Sequence, residues 1–450
     1  MFKEVLNNKK YYFLLTVVIS LSTILNYNSN LMAGILPYYY DFSNYFSNGL
    51  KFTKPFNKNI YTWPMWGYGL ILLIGSKLFI IILQQIITLF TIIIIRKYLR
   101  NIVYPISFKF ISILILFAFP WFYFHVSLWP YSISANFFTL SVLLLGIGYE
   151  QRKLGPFIIS AVFFGITLNF RSDYYYLVWL LCIFGVLYSL FNYKTDNFKR
   201  MLIWITIINI ILLPWYFYTK KYTGEGLFTS SNSGHVFFIS LGQLPENKWK
   251  ISTSDGDSIM YSLVRNSFGD NESSLSLKSS RLLMNEFKNR VIADPEEFAK
   301  KCFHNAFNVM IFPFYFGDYQ KAFSNSKKIE EIKSSMNKHE WIKISKLFFD
   351  LINFKMLIIF ILYSIGLIIF YLFIWSLILF IRASFEKKSI KFLELVIFIV
   401  FIYQFLLNVL AYSLPIYSTN LYMLFLIFIA LVTSSYYGEP SPDSAILNEV

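Results

Sequence analysis

Long apolar runs recur along the chain, at residues 11–25, 67–95, 102–119, 131–149, 154–170, 174–191, 201–218, 355–381, 392–412 and 420–437. Most approach the roughly 20 residues of helix that cross a bilayer's hydrocarbon core. Backbone groups in lipid must find their hydrogen bonds within the segment, so each run predicts a helix and not an open strand. A long polar stretch, 219–354, interrupts the series. Within it, apolar residues recur at helical spacing over 281–292, and Asp294, Pro295, Glu296 and Glu297 form a helix-start signature of cap, first-turn proline and acids at the positive dipole end. Residues 341–354 are amphipathic and predict a helix lying along the membrane surface. The stretch 252–280 is rich in Ser, Gly and Asp and reads as loop.

The expected fold is therefore an all-α integral membrane protein, a polytopic bundle of about 10 transmembrane helices with a mainly α extracytoplasmic region. Four segments follow: an N-terminal membrane module over 1–218 with seven spans, the outer region over 219–354, three C-terminal spans over 355–437, and a disordered tail over 438–450. The first run is short enough to raise a cleaved signal peptide, but Asn26, Tyr27, Asn28, Ser29 and Asn30 follow it with no small-residue cleavage site. An uncleaved first span is the preferred reading.

Charge orients the bundle. Basic clusters follow each even-numbered span that precedes a loop: Arg96, Lys97 and Arg100; Arg152 and Lys153; Lys194, Lys199 and Arg200; Arg382, Lys387, Lys388 and Lys391. Lys3, Lys9 and Lys10 precede the first span. The positive-inside rule then puts both termini in the cytoplasm of a multi-pass protein of the cytoplasmic membrane, and puts the loop 27–66, the turn at Arg171 and the region 219–354 on the outer face.

Composition fits this picture. Mean hydropathy is +0.53 and charged residues make up 14% of the chain, against about a quarter in soluble proteins. The net charge of +15 suggests nucleic acid in isolation, but its clustering in cytoplasmic loops accounts for it, and no nucleic-acid partner is expected. Two cysteines, Cys182 in an apolar run and Cys302 in the polar region, exclude a disulfide scaffold. His125, His235, His304 and His339 are far apart in sequence and form no metal-ligand spacing, so neither metal nor cofactor is predicted.

Few residues can carry chemistry. Asp41 is the one acid in the loop that joins the first two spans, preceded by Tyr38, Tyr39 and Tyr40 and followed by Phe42, Tyr45 and Phe46. It is either a solvated loop acid or a carboxylate in a desolvated aromatic wall, where its pKa rises toward that of a useful base; sequence leaves both open. Arg171 lies in a tight outer turn between two spans, where an arginine needs an anionic partner, either Asp173 or a lipid phosphate. Lys220 and Lys221 follow Pro214, Trp215 and Tyr216 and are either headgroup anchors or phosphate ligands. Gly224 to His235 is a glycine- and hydroxyl-rich stretch able to wrap a sugar or phosphate, without the strand–loop–helix setting of a nucleotide loop. His235 and His125 are, taken singly, more often structural than catalytic.

The order of these features resembles the GT-C glycosyltransferases, multi-span enzymes that use polyprenyl-phosphate sugars and include protein mannosyltransferases and lipid A aminoarabinose transferases. The shared features are the first-loop acid Asp41 with Tyr45, the Pro64, Gly67 and Tyr68 opening of the second span, Gly165 with Arg171 and Asp173 after the fifth, and Pro214–Trp215 ending the seventh, then Gly224 and 230–234. The chain departs from the family in three places: Phe42 stands where many members carry a second acid, Ser132, Ser134 and Asn136 stand where many carry another, and the late arginine is absent near Tyr417. The resemblance covers about the first 240 residues. It implies transfer of a sugar from a polyprenyl-phosphate donor to a lipid, glycan or protein acceptor on the outer face, with Asp41 as catalytic base, Arg171, Lys220 and Lys221 on the donor phosphate, and Tyr40, Tyr45, Asp173 and His235 around the substrate. The alternatives are a lipid-linked glycan flippase or a surface-glycan polymerase lacking this base.

Overall fold

The computed structural model describes residues 8–26, 36–52, 61–118, 121–122, 125, 128, 130–192, 195–311, 313–314, 340, 354–386, 390–413 and 419–437. Every regular element among these is helical. The helices that fall on the apolar runs are α1 (Asn8–Asn26), α4 (Lys77–Ile102), α5 (Pro105–Leu116), α6 (Pro130–Gln151), α7 (Leu154–Phe170), α8 (Tyr175–Phe191), α9 (Thr195–Thr223), α14 (Phe354–Phe385), α15 (Phe392–Leu410) and α16 (Tyr422–Tyr437). Two short helices, α2 (Leu36–Ser47) and α3 (Gly67–Leu72), sit between α1 and α4, and α10 (Ser233–Ser240), α11 (Ser258–Phe268), α12 (Leu277–Ala293) and α13 (Pro295–Ile311) build the polar region. Among the described residues six helical segments are long and apolar enough to cross a membrane, and α5, α7 and α16 are shorter apolar helices. The architecture is that of an all-α membrane protein.

Two helices form its axis. α6 packs along α7 and against α4 and α15. Its small residues permit close approach: a Cβ on Gly146 would stand 2.7 Å from the Leu393 side chain of α15. Polar side chains tie the same helices together, Trp204 Nε1 donating to Ser160 Oγ at 3.0 Å, Ser160 Oγ to the Ser141 carbonyl at 2.7 Å, and Asn136 Nδ2 to Thr88 Oγ1 at 3.0 Å. The second axis is α16, whose residues from Tyr422 to Val432 are all buried. A helix apolar on every side needs neighbours on every side, and α4, α5, α14 and α15 supply them.

Several expectations change. The run 67–95 is not one span: α3 ends at Leu72, and α4 starts afresh at Lys77, where Ser76 Oγ accepts from the Phe79 amide at 3.4 Å. The segment around Asp41 is the helix α2 and not a loop. α9 is 29 residues long and contains Pro214, so at 1.5 Å per residue it is roughly 43 Å long and exceeds a hydrocarbon core about 30 Å thick. The break of 412–422 is described only in part, and the predicted helix 341–354 and the tail lie outside the described residues.

The described part of the polar region is mainly α. Phe238, Trp249, Met260, Leu283 and Phe287 form its small core. Within the stretch expected to be loop, Asp257 caps α11 by accepting from the Met260 amide at 2.7 Å, and α13 begins at Pro295 as the start signature predicts. Gln243 Nε2 donates to the Ser413 carbonyl at 2.9 Å, fastening this region to the end of α15.

Candidate active site

A cavity of about 310 Å³ opens where the ends of the membrane helices meet the polar region. That size falls at the lower end of small-molecule sites. Four parts of the chain wall it: Tyr39 with Trp63, Pro64 and Met65; Pro130 and Tyr131 at the start of α6; Phe170 to Asp173 after α7; and Thr229 to Ser233 leading into α10. Tyr403, Gln404, Leu407, Ala411 and Tyr412 close it from α15. α6 and α7 have their other ends beside Arg152 and Lys153, and Lys391 caps the start of α15, so the cavity and these cations lie at opposite ends of the same helices.

Arg171 dominates the wall. It follows the last turn of α7 in extended conformation, its amide still bonded to the Thr167 carbonyl at 2.8 Å. Its side chain is 3% exposed, and its Nε and Nη2 donate side-on to the two oxygens of Asp173, the former at 3.0 Å. The guanidinium centre lies 4.3 Å from the Tyr131 ring centroid and 4.8 Å from that of Tyr174. Burial works against the charge, but the Asp173 carboxylate and these phenols outweigh it and hold Arg171 above its ordinary pKa. The turn is braced from two sides: Tyr403 Oη donates to the Asp173 carbonyl at 2.5 Å, and Ser172 Oγ meets Ser230 Oγ at 2.7 Å. Ser230 donates to Asn232 Oδ1 at 2.8 Å, and Thr62 Oγ1 donates to Ser231 Oγ at 2.5 Å, so the hydroxyl-rich stretch is pinned to the segment before α3.

Gln404 is the residue sequence reasoning missed. It lines the cavity at 2% exposure, and neither its Nε2 nor its Oε1 has a hydrogen-bond partner. A buried amide left without protein partners costs on the order of 1–3 kcal/mol, and one aimed into a cavity is placed to meet a ligand. The signal available beforehand was a glutamine and Asn408, four residues apart, in an otherwise apolar run.

The site residues expected from sequence divide into two groups. Arg171 and Asp173 lie together in the wall, paired with each other. Asp41, Tyr40, Tyr45, Lys220, Lys221 and His235 do not line the cavity. Asp41 is half-buried on α2, where Tyr39, two residues earlier and so turned about 200° around the helix, faces the cavity instead. Desolvation raises the Asp41 carboxyl above its ordinary range, and its neighbour Tyr38 packs edge-on against Trp63 of the wall at 5.3 Å. Tyr40 is exposed, and Tyr45 belongs to a separate aromatic cluster, 4.5 Å from Phe52 and 5.5 Å from Tyr218. Lys220 and Lys221 are exposed on the last turn of α9, where cations suit the negative end of the helix dipole. His235 points away from the cavity face of α10 formed by Ser233, Val236 and Phe237; its ring nitrogens meet Ser274 Oγ at 3.2 Å and Asp255 Oδ1 at 3.1 Å. That hydrogen bond holds the Asp255 carboxyl below its usual range. His125 is fully buried with its ring 4.6 Å from that of Trp121, and burial pushes its imidazole down to about 3, which makes it a neutral packing residue. No group of histidine, cysteine, aspartate or glutamate among the described residues is arranged to hold a metal.

The surface of the cavity thus combines flat aromatic rings with hydroxyls, an amide and an ion pair. Aromatic faces offer stacking to apolar C–H surfaces, and bidentate polar groups read pairs of adjacent hydroxyls. No known protein family, curated protein or solved structure matches this chain.

Proposed function

We propose that the chain is a membrane-embedded glycosyltransferase that takes a sugar from a polyprenyl-phosphate donor and passes it to a lipid, glycan or protein acceptor on the outer face of the cytoplasmic membrane. The observation that carries the reading is the convergence of three segments distant in sequence, Tyr39 with 63–65, 170–173 and 229–233, on one cavity whose far wall presents the unsatisfied Gln404 amide. A sugar suits that wall better than an apolar ligand, because Gln404, Ser230, Asn232 and Asp173 together supply both donors and acceptors for vicinal hydroxyls. Tyr131, Tyr176 and Tyr412 supply ring faces.

In this reading the ten-span layout of the sequence holds, with both termini in the cytoplasm and the cavity on the side away from the basic clusters. Arg171 meets the donor phosphate, and its pairing with Asp173 keeps the buried cation neutralised until the donor arrives. Lys220 and Lys221, exposed and off the cavity, attract anionic headgroups near it. Asp41 stands outside the cavity lining but is the general base of this reading, since its carboxyl is partly desolvated with no ion pair to a cation among the described residues, Tyr39 of the same helix reaches the cavity wall, and Asp173 is bound by Arg171. It takes the proton of the acceptor hydroxyl as that oxygen attacks the anomeric carbon, and the polyprenyl phosphate leaves with the bonding electrons, its charge stabilised by Arg171.

The test starts with mass spectrometry of lipid-linked and surface glycans from cells with and without the gene, which identifies donor and acceptor. Transfer is then measured with the purified chain. Asp41→Asn is expected to lower turnover by about 10²–10⁴-fold, the usual worth of a general base, while Gln404→Leu weakens donor binding. Because the Asp41 carboxyl is raised, wild-type activity falls on acidification through a pH above the ordinary carboxylate range, as the base becomes protonated. If Asp173→Asn abolishes transfer and Asp41→Asn does not, the base is Asp173. Saturable donor binding with no transfer by any form would replace the transferase with a lipid-linked glycan carrier.

A further inference from the structure

We infer that the opposite, basic-rich end of the bundle carries a second site, for a phosphate-bearing anion, between α1, α4 and α5. A cavity of about 440 Å³ lies there. One stripe of α4 forms most of its wall: Ile93, Arg96, Lys97, Arg100 and Asn101, at the i, i+3, i+4, i+7, i+8 spacing that brings residues to a single helix face. Tyr12 of α1 and Phe108 of α5 complete it. Three cations share this face, and among the described residues no carboxylate pairs with any of them.

Arg96 is what separates this cavity from an ordinary cytoplasmic anchor. An anchoring arginine extends into the headgroups, whereas Arg96 is 2% exposed. Its guanidinium centre sits 3.2 Å from the Tyr11 ring centroid, 5.1 Å from that of Tyr12 and 5.3 Å from that of Phe108. Stacking satisfies the flat faces of a guanidinium and does nothing for its edge, where the five N–H groups lie. Among the described residues Nε, Nη1 and Nη2 accordingly have no acceptor at full hydrogen-bonding geometry, the Tyr12 hydroxyl of the same wall being a neighbouring polar group. The platform is itself fixed, because Tyr11 Oη donates to the Ser112 carbonyl of α5 at 2.9 Å. A rigidly stacked, desolvated guanidinium with Lys97 and Arg100 exposed beside it is the pattern that recognises a phosphate: a planar fork for two oxygens and two mobile cations for the remaining charge.

The position identifies the source most compatible with a bilayer. Arg96 lies six residues before the end of α4, or roughly 9 Å along the axis, a depth at which the phosphate of an anionic phospholipid is within reach while its chains follow α1 and α4. A free phosphate or soluble phosphate ester presents the same chemistry, and the experiment separates the two.

Purified full-length chain is reconstituted in nanodiscs of phosphatidylcholine, with and without phosphatidylglycerol, and also in phosphatidylcholine alone with inorganic phosphate against sodium chloride of equal ionic strength. Thermal unfolding and native mass spectrometry of retained lipids are read for wild type, Arg96→Met, Lys97→Gln/Arg100→Gln and a control, Arg152→Gln/Lys153→Gln. The second variant alters exposed residues only, so it reports even if Arg96→Met fails to fold. The expected result is a higher melting temperature and a retained phosphatidylglycerol in wild type and control, with retention weakened about tenfold or more when a charge-assisted contact is removed. Protection by inorganic phosphate in neutral lipid, lost in the same variants, supports the anion site and assigns it to a soluble ligand. Equal retention and equal melting in wild type and the Lys97/Arg100 variant overturn the site.

Discussion

Lys301 on α13 is 0% exposed, and its ammonium donates to the carbonyls of Val409, Leu410 and Ala411 at 3.2, 2.8 and 2.6 Å. These are carbonyls of the last turn and cap of α15, which a helix cannot satisfy internally and which form the negative end of its dipole. The contact joins the polar region to the helix end that supplies Leu407, Ala411 and Tyr412 to the cavity. Replacing Lys301 by methionine keeps the stem and removes the donor. Asn305 Nδ2 still reaches the Asn408 and Val409 carbonyls at 3.2 and 3.3 Å, so the Leu410 and Ala411 carbonyls bear the loss. Two bonds to a charged donor are worth about 3–6 kcal/mol gross, at roughly 1.5–3 kcal/mol each, and relief of the buried ammonium returns part of it. The expected destabilisation is therefore about 2–4 kcal/mol, or some hundredfold in the opening of this junction. Hydrogen-exchange mass spectrometry of peptides covering 295–311 and 392–413, with thermal unfolding in parallel, reads it directly. The pH dependence adds a signature. Burial pushes Lys301 from its ordinary 10.5 down to about 8. Between those values the unfolded chain holds a proton that the folded chain has released, so this group's contribution to stability rises with pH in that window and is flat below it. Lys301→Met lacks the rise. Unchanged exchange at both peptides, or wild type and variant melting in parallel from pH 7 to 10, would refute the latch.

Other outcomes follow from the same geometry. Arg171→Gln leaves Asp173 without its cation and is expected to cost about 3–5 kcal/mol, while Arg171→Gln/Asp173→Asn costs measurably less because no uncompensated charge remains; a double-mutant cycle on melting curves gives the coupling. Gly234→Ala drives a Cβ to 1.8 Å from the Ser280 carbonyl oxygen, a backbone atom that cannot turn aside. It should destabilise the polar region by about 1–3 kcal/mol or more, seen as faster limited proteolysis. Gly155→Ala, in a helix with nothing within 4 Å of its new methyl, is the contrasting case and is expected to be neutral or stabilising by up to about 1 kcal/mol.

What the sequence decided by itself is the class of molecule and the placement of most of its helices. Composition and run length point to an all-α membrane protein because continuous apolar runs near 20 residues satisfy their backbone in lipid as helices, whereas barrel strands are shorter and alternate, and α1, α6, α7, α8, α14, α15 and α16 follow the apolar runs closely. Local chemistry also announced α13 through Pro295, and the pairing of Arg171 with Asp173 needed only a two-residue separation. The interruption at 73–76 turns on Gly75 and the capping Ser76, two small residues inside a long apolar run, and α9 extends past its run at both ends into polar sequence, where hydropathy gives no helix signal. Helical phase was legible in principle around Asp41 and His235, but not which face would turn inward, since that depends on neighbours contributed from elsewhere. Gln404 shows the limit most plainly: it lies 231 residues beyond Asp173 in sequence, and only the packing of α15 against α6 brings it to the same wall. Hydropathy acts on each segment alone, whereas a site is made by contacts among segments, and those are set by the fit of side chains that one-dimensional patterning does not encode.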